Sequence, residues 1–187
     1  YAYYKTGERA QALAKIERFM RLHPTSPATD YALYLQGLIN FNDDLGLFGK
    51  MSRQNMSERD QQASRDAYDA FKQLVERFPK SRYAEDARLR MNFVVNSLAE
   101  GEVHVARYYF RRGAYLAAAN RAQVAITEFS NSPAVEEALF IMVKSYDQLG
   151  MTQLRDDAQR VLVKNFPQSD FLTKGFQASS KPWWQLW

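Results

Sequence analysis

The side chains that most often make and break bonds are sparse in this chain. It has two histidines and no cysteine. His23 and His104 stand far apart, and the residue four after His104 is Tyr108. A metal centre needs three or four converging ligands, so none is expected. The absence of cysteine excludes a disulfide, a thiolate nucleophile and a thiolate metal site within these residues, and leaves the compartment open. No HExxH, no glycine-rich phosphate loop and no GxSxG appears. The acidic pairs Glu136/Glu137 and Asp156/Asp157 read as solvated helix faces. No catalytic residue, cofactor or metal is therefore expected. What remains is the chemistry of recognition, in which arginine forks hold carboxylates and aromatic rings fill grooves. Such residues gather in "YYFRRGAYLAAANRAQ" (108–123), with Arg112, Asn120 and Arg121, and near the start, with Tyr3, Tyr4, Arg18 and Tyr31.

Composition fits this reading. The 187 residues are 46% hydrophobic and 25% charged, ordinary for a folded domain or an elongated array. Twenty-five basic residues against twenty-one acidic give a net charge of +4. The charges are mixed along the chain rather than clustered, which argues against a nucleic-acid partner. No apolar run approaches the roughly 18 residues of a membrane span. The opening "YAYYKTGERA" reads as the middle of a helix hairpin, as if cut from a longer chain.

The elements that must position these residues follow from a period. Gly7, Gly113 and Gly150 each stand four residues after a tyrosine, Tyr3, Tyr109 and Tyr146. Seventeen residues after each glycine come Pro24, Ser130 and Pro167, and a fourth copy without the glycine counts back from Pro79 to Gln62. Small or apolar residues recur between these marks: Ala12, Ala67 and Ala118 at one offset; Phe19, Leu74, Ala125 and Leu162 at a second; His23, Phe78, Phe129 and Phe166 at a third. Glycine permits the left-handed cap that a tight helix turn needs. Alanines let helices cross closely, and a residue before proline leaves the helical region. This pattern resembles the tetratricopeptide repeat, a helix hairpin of about 34 residues. The expected fold is all-α, with tetratricopeptide-type antiparallel helix-hairpin repeats stacked into a curved solenoid. It covers residues 1–170 in about four repeats, the first incomplete, with a loop insertion at 43–61 and a C-terminal tail at 171–187. Helices are expected near 8–22, 27–42, 63–78, 82–98, 100–112, 114–129, 133–149 and 151–166, with Gly101 breaking the long segment before Gly113.

A more specific resemblance covers residues 1–170. "RLHPTSPATDY", "AFKQLVERFPKSRYAEDA" and "VARYYFRRGAYLAAANRAQ" are similar to the BamD lipoprotein family, also called the ComL or YfiO type. The resemblance implies a non-enzymatic scaffold at the periplasmic face of the outer membrane, anchored by an N-terminal lipid that this chain lacks. It implies a role in the machinery that inserts β-barrel proteins. The implied partners are the periplasmic domains of the barrel-forming subunit, companion lipoproteins and unfolded outer-membrane proteins. In "AANRAQ" it assigns Arg121, with Asn120 and Arg112, to the barrel-forming subunit, the arginine engaging an acidic residue there. Arg18 in "IERF", with Tyr31 and Tyr4, is assigned to substrate peptides, whose sorting signals are aromatic. The apolar residues of the 43–61 loop, Phe48 among them, suggest docking on the solenoid or on a partner, and family members have a similar Gly/Phe loop whose "RD" is matched by Arg59 and Asp60.

The residues alone leave other readings open. Arg121 also suits an intramolecular salt bridge, and the tyrosines also suit a repeat core. A generic periplasmic repeat adaptor would share this architecture, and a hydrolase would need a reactive residue that the sequence does not offer. The tail "KPWWQLW" places all three tryptophans within its seven residues, and no role is assigned to it.

Overall fold

The computed structural model describes residues 1–41 and 58–180. Among the described residues it is all-α: α1 (Ala2–Lys5), α2 (Arg9–Leu22), α3 (Thr29–Asn40), α4 (Glu58–Arg77), α5 (Ala84–Arg111), α6 (Tyr115–Glu128), α7 (Ala134–Gln148), α8 (Thr152–Asn165) and α9 (Asp170–Lys174), then a 3-10 helix, Gly175–Ser180. The chain divides into two compact units, Tyr1–Val95 and Asn96–Trp187. Sequential helices pack in pairs within each, α2 on α3 and α3 on α4 in the first, α6 on α7 and α7 on α8 in the second.

The repeat is written in hydrogen bonds at the helix ends. Gly7, Gly113 and Gly150 have φ of 78°, 77° and 69°, the left-handed region where a Cβ is costly. In each turn the glycine N–H donates to the carbonyl three residues back, from Gly113 to Phe110 at 3.0 Å, for example. The following N–H donates to the tyrosine carbonyl: Glu8 to Tyr3 at 2.8 Å, Ala114 to Tyr109 at 3.0 Å, Met151 to Tyr146 at 2.9 Å. This is the Schellman pair, which satisfies carbonyls that a helix end otherwise leaves open. Glu8, Ala114 and Met151 are at once the N-caps of α2, α6 and α8, so the hairpin turns without spare residues.

The joints between hairpins use a second device, found four times. His23, Phe78, Phe129 and Phe166 each close a helix, the N–H donating four residues back. Three residues later stand Ser26, Ser81, Ser132 and Ser169. Each serine N–H donates to the aromatic residue's carbonyl at 2.9–3.1 Å. Each serine Oγ accepts from the N–H two residues on, at 3.2–3.3 Å. A hydroxyl there replaces the partner that the first turn of the next helix lacks. Between these ends the recurrent small or apolar residues do as expected: Ala67, Leu74, Ala118 and Ala125 are fully buried, and Ala12 and Leu162 nearly so.

Two elements differ from expectation. Gly101 does not break the segment before Gly113; α5 is one helix of 28 residues. Its apolar stripe runs unbroken past the glycine, through Leu98, Ala99, Val103 and Ala106, and that burial outweighs the roughly 1 kcal/mol a mid-helix glycine costs. The segment after residue 170 is not simply a tail. Ser169 caps α9, and Phe171 and Phe176 pack on Phe140 with ring centroids 5.3 and 4.9 Å away. The stretch KPWWQLW and most of the 43–61 insertion, Phe48 included, lie outside the described residues. Arg59 and Asp60 fall in the first turn of α4, their side chains outside the described part.

In the first unit, α3 and α4 approach so closely that a Cβ on Gly37 would lie 2.3 Å from Phe71 Cε1. Phe71 is fully buried and ringed by Tyr34 and Phe41 at 6.1 and 6.2 Å. Nearby, the Tyr34 hydroxyl donates to Asp86 Oδ2 at 2.7 Å, and Arg90 Nε donates to the same oxygen at 2.6 Å. Burial, then the hydrogen bond to Asp86, pushes the Tyr34 phenol up to about 12, so it stays a donor. Burial pushes the Asp86 carboxyl up, but the hydrogen bonds from Arg90 and Tyr34 outweigh it and hold the group below its ordinary value.

Three outcomes are expected. Gly37→Ala should destabilise by about 1–3 kcal/mol, the usual cost of overpacking. Gly101→Ala, where a Cβ meets nothing within 4 Å, should stabilise by about 1 kcal/mol; urea unfolding followed by circular dichroism reads both. Asp86→Asn should lower stability at pH 7 by up to about 1 kcal/mol, a small value because the carboxylate is partly solvated. A carboxylate depressed in the folded state contributes above its ordinary pKa of about 4 and stops contributing once pH falls through its lowered value. The gap between wild type and Asp86→Asn should therefore close on acidification; a gap that stays constant to pH 2 would exclude the linkage.

Candidate recognition surfaces

The second unit holds the arginine surface. α6 turns Ala118, Ala122 and Ala125 inward, all fully buried, which leaves Asn120 and Arg121 exposed. Arg121 is not free. Its Nη1 lies 3.1 Å from Glu102 Oε2 on α5. The arginine side chain is 48% exposed, whereas the glutamate side chain is 11% exposed. Glu102 is thus a nearly buried carboxylate whose charge is met by an arginine at the surface. Arg112, in the turn after α5, takes a different partner, its guanidinium lying 5.4 Å from the Tyr108 ring centroid. The two arginines flank the Gly113 turn and share no partner.

Beside the candidates on this surface stand Glu102, Tyr108 and Leu116; Glu102 was not foreseen, and the other two lie inside the 108–123 stretch without having been named as candidates. Tyr108 and Leu116 are exposed apolar residues. Each lies one helical turn before a candidate, Tyr108 before Arg112 and Leu116 before Asn120, the i, i+4 relation that places two side chains on one face. That spacing was the available signal. Glu137 needs a correction. It is not a solvated helix face: its side chain is 14% exposed and meets Arg107 Nη2 at 2.5 Å. The partner lies on α5, thirty positions earlier, where no local pattern could reveal it. Asp156 and Asp157 are paired at the surface with Arg155 and Arg160.

The first unit holds the aromatic surface. A groove of about 280 Å³ is lined by Tyr1, Tyr3, Phe19 and Tyr31, with Ile16 beneath and Lys15 as its cation. Tyr31 is half-buried, 5.5 Å from the Tyr83 ring. Burial, then the neighbouring phenols, pushes its hydroxyl above the ordinary value, so Tyr31 offers a neutral donor. Tyr4 packs against the core beside Ile16 instead of lining the groove. Arg18 is exposed and is not among the groove walls. Tyr3 is exposed rather than a core residue; its part in the repeat turn is played by its carbonyl.

Among the described residues no three His, Asp or Glu converge to hold a metal, and no helix is long and apolar enough to cross a membrane. Capped hairpins with buried alanine crossings, carrying arginine and aromatic residues on their outer faces, define a helix-repeat protein of the tetratricopeptide type. The model of the YfiO family, described as an outer membrane lipoprotein, matches residues 1–162. The chain belongs to that family. Over 187 residues it is 53% identical to the outer membrane protein assembly factor BamD of Neisseria meningitidis serogroup A, covering all of this chain and 70% of that protein. It is 38% identical to the BamD of Xylella fastidiosa Temecula1 over 172 residues, 92% of this chain and 59% of that one. With the BamD of Vibrio cholerae it shares 37% over 165 residues, 88% of this chain and 68% of that one.

The Glu102–Arg121 geometry sets an expected order of stabilities. Arg121→Gln should cost about 1 kcal/mol, less than a fully buried pair because the arginine is half in water. Arg121→Glu should cost more, since it sets a second carboxylate beside Glu102. Adding Glu102→Gln to either variant should restore stability towards wild type. Equal thermal midpoints for wild type and Arg121→Glu would mean that the pair contributes nothing.

Proposed function

We propose that this chain is a non-enzymatic scaffold in the assembly of outer-membrane β-barrel proteins, working at the periplasmic face of the outer membrane and lipid-anchored in its full-length form. The observation that carries the reading is family membership over residues 1–162, together with relatives named as outer membrane protein assembly factors. In this proposal the face around Arg121, Asn120 and Arg112 binds the periplasmic domains of the barrel-forming subunit, beside companion lipoproteins. An arginine fork suits a carboxylate on that partner, and the exposed Leu116 and Tyr108 supply the apolar contact that concentrates binding energy in an interface. The aromatic groove of Tyr3, Phe19 and Tyr31, with its lysine, is the proposed seat for the aromatic end of an unfolded barrel protein. Arg18 lies outside the groove walls and is the weaker candidate there.

The test must respect the ion pair. Arg121→Glu confounds binding with stability, because the variant glutamate would face Glu102. The combination Glu102→Gln/Arg121→Gln removes the pair without stranding a charge. Its affinity for the isolated periplasmic domains of the barrel-forming subunit should fall at least tenfold, about 1.4 kcal/mol, while its circular dichroism stays that of wild type. A folded double variant that binds like wild type removes Arg121 from the interface.

A further inference from the structure

We propose that a second groove, walled by α2, α3 and α4, is a subsite for an arginine side chain carried by an extended polypeptide segment. The groove encloses about 300 Å³ and differs in kind from the aromatic one. Its walls are Glu17 from α2, Gln36 and Asn40 from α3, and Asp66, Asp69 and Gln73 from α4. Each helix contributes residues at helical spacing, 36 with 40 and 66 with 69 and 73, so one face of each points at the same space. Among the described residues no lysine or arginine lines it, although basic residues outnumber acidic ones in the chain. Neither Glu17 nor Asp69 makes an ion pair among the described residues, and Asp66 accepts only from Gln62, at 2.8 Å.

Three carboxylates alone would be only a solvated acidic face. The second observation is Asn40. It is 6% exposed, and its side-chain amide has no hydrogen-bond partner among the described residues. It is not sealed in the core either, since among the described residues the side-chain atom left both enclosed and unpartnered is Ser145 Oγ. The Asn40 amide therefore opens on the groove it lines. At 6% exposure the amide has little access to water, and a bound donor would give its oxygen a partner.

The donor set selects the cation. The carboxylates do not converge as metal ligands do; they stand on two helices with amide oxygens between them. A planar guanidinium presents five N–H donors across such a spread, where an ammonium offers a compact point charge. Leu13 and Ala70, the apolar part of the wall, suit the methylene stem of an arginine. Helix-repeat arrays bind extended peptides along their surfaces, which makes a polypeptide the source of the side chain. The inference uses neither the barrel-forming subunit nor the aromatic groove, so it stands or falls separately from the function proposed above.

Nuclear magnetic resonance on the 187-residue chain tests it, with N-acetyl-Gly-Arg-Gly-amide as the probe. The expected result is saturable shifts of the Asn40, Gln36 and Gln73 side-chain amides. Binding should be at least fivefold weaker for the same peptide with citrulline, which keeps the shape and loses the charge, and weaker for the lysine peptide. It should be lost in Glu17→Gln/Asp69→Asn. Both positions are exposed and make no ion pair among the described residues, so that variant should keep the wild-type melting temperature; Asp69→Asn alone, weakening binding severalfold, is the reserve. Equal shifts from the arginine and citrulline peptides, or shifts that never saturate and vanish in moderate salt, would overturn the proposal. Free arginine amide binding as tightly as the peptide would overturn it as well, since the polypeptide would then contribute nothing.

Discussion

A helix ends with four carbonyls or four N–H groups that its own ladder cannot satisfy, and a chain of short helices meets that constraint at every turn. Here two devices meet it and alternate. A left-handed glycine closes one helix through a tyrosine carbonyl and hands over at once to the next. An aromatic residue followed at three positions by serine closes the second helix, and the serine hydroxyl accepts an N–H in the turn that leads into the third. The helices between these ends need not be stable alone, and at fourteen residues α2, α6 and α8 would be marginal in isolation. Their stability comes from the alanine crossings that the turns bring together. The outer faces are thereby released from structural duty and can vary.

Arg121 shows how one side chain can hold the structure together and still stay available to a partner. It neutralises a nearly buried carboxylate, yet half of it remains in water. One nitrogen faces Glu102, and the guanidinium has other N–H donors to offer. An intramolecular salt bridge and a surface contact are therefore compatible roles for it. A carboxylate arriving from a partner would meet an arginine already held in place, with part of its ordering cost met beforehand. Because of that pair, a charge reversal at this position would disturb folding whether or not it disturbed binding.

How far the sequence could be read depended on the range of each cause. The glycine turns and the aromatic–serine joints are local, and their spacing disclosed most helices before any coordinates. Ser169 obeys the same spacing, but α9 is too short for hydrophobic periodicity to announce it. Gly101 misled because propensity is a weak preference, and the apolar stripe of α5 overrides it. Glu137 and Glu102 were opaque for another reason, since each is paired with an arginine on a different helix. Arg121 could be singled out by its exposure beside buried alanines; its partner could not. The aromatic groove was half legible, with Tyr31 in place and Lys15 standing where an arginine was expected.

The two grooves and the arginine face become one argument when placed on the repeat. Positions four, seven, eight and eleven after each repeat mark lie along one stripe of the second helix of a hairpin. In the first copy they are Gln11, Ala14, Lys15 and Arg18; in the second, Asp66, Asp69, Ala70 and Gln73. In the third they are Ala117, Asn120, Arg121 and Val124; in the fourth, Leu154, Asp157, Ala158 and Val161. The backbone repeats and the chemistry does not: the stripe is basic, then acidic, then arginine with asparagine, then largely apolar. Lys15 serves the aromatic groove, Asp66 and Asp69 the acidic one, and Arg121 faces Glu102. A stripe needed only for packing would converge on one composition, as the alanine crossings do. Its divergence leaves each copy a different chemistry at the positions that stay at least partly exposed, Lys15, Asp69, Arg121 and Asp157, while Ala70 and Ala158 of the same stripe remain buried.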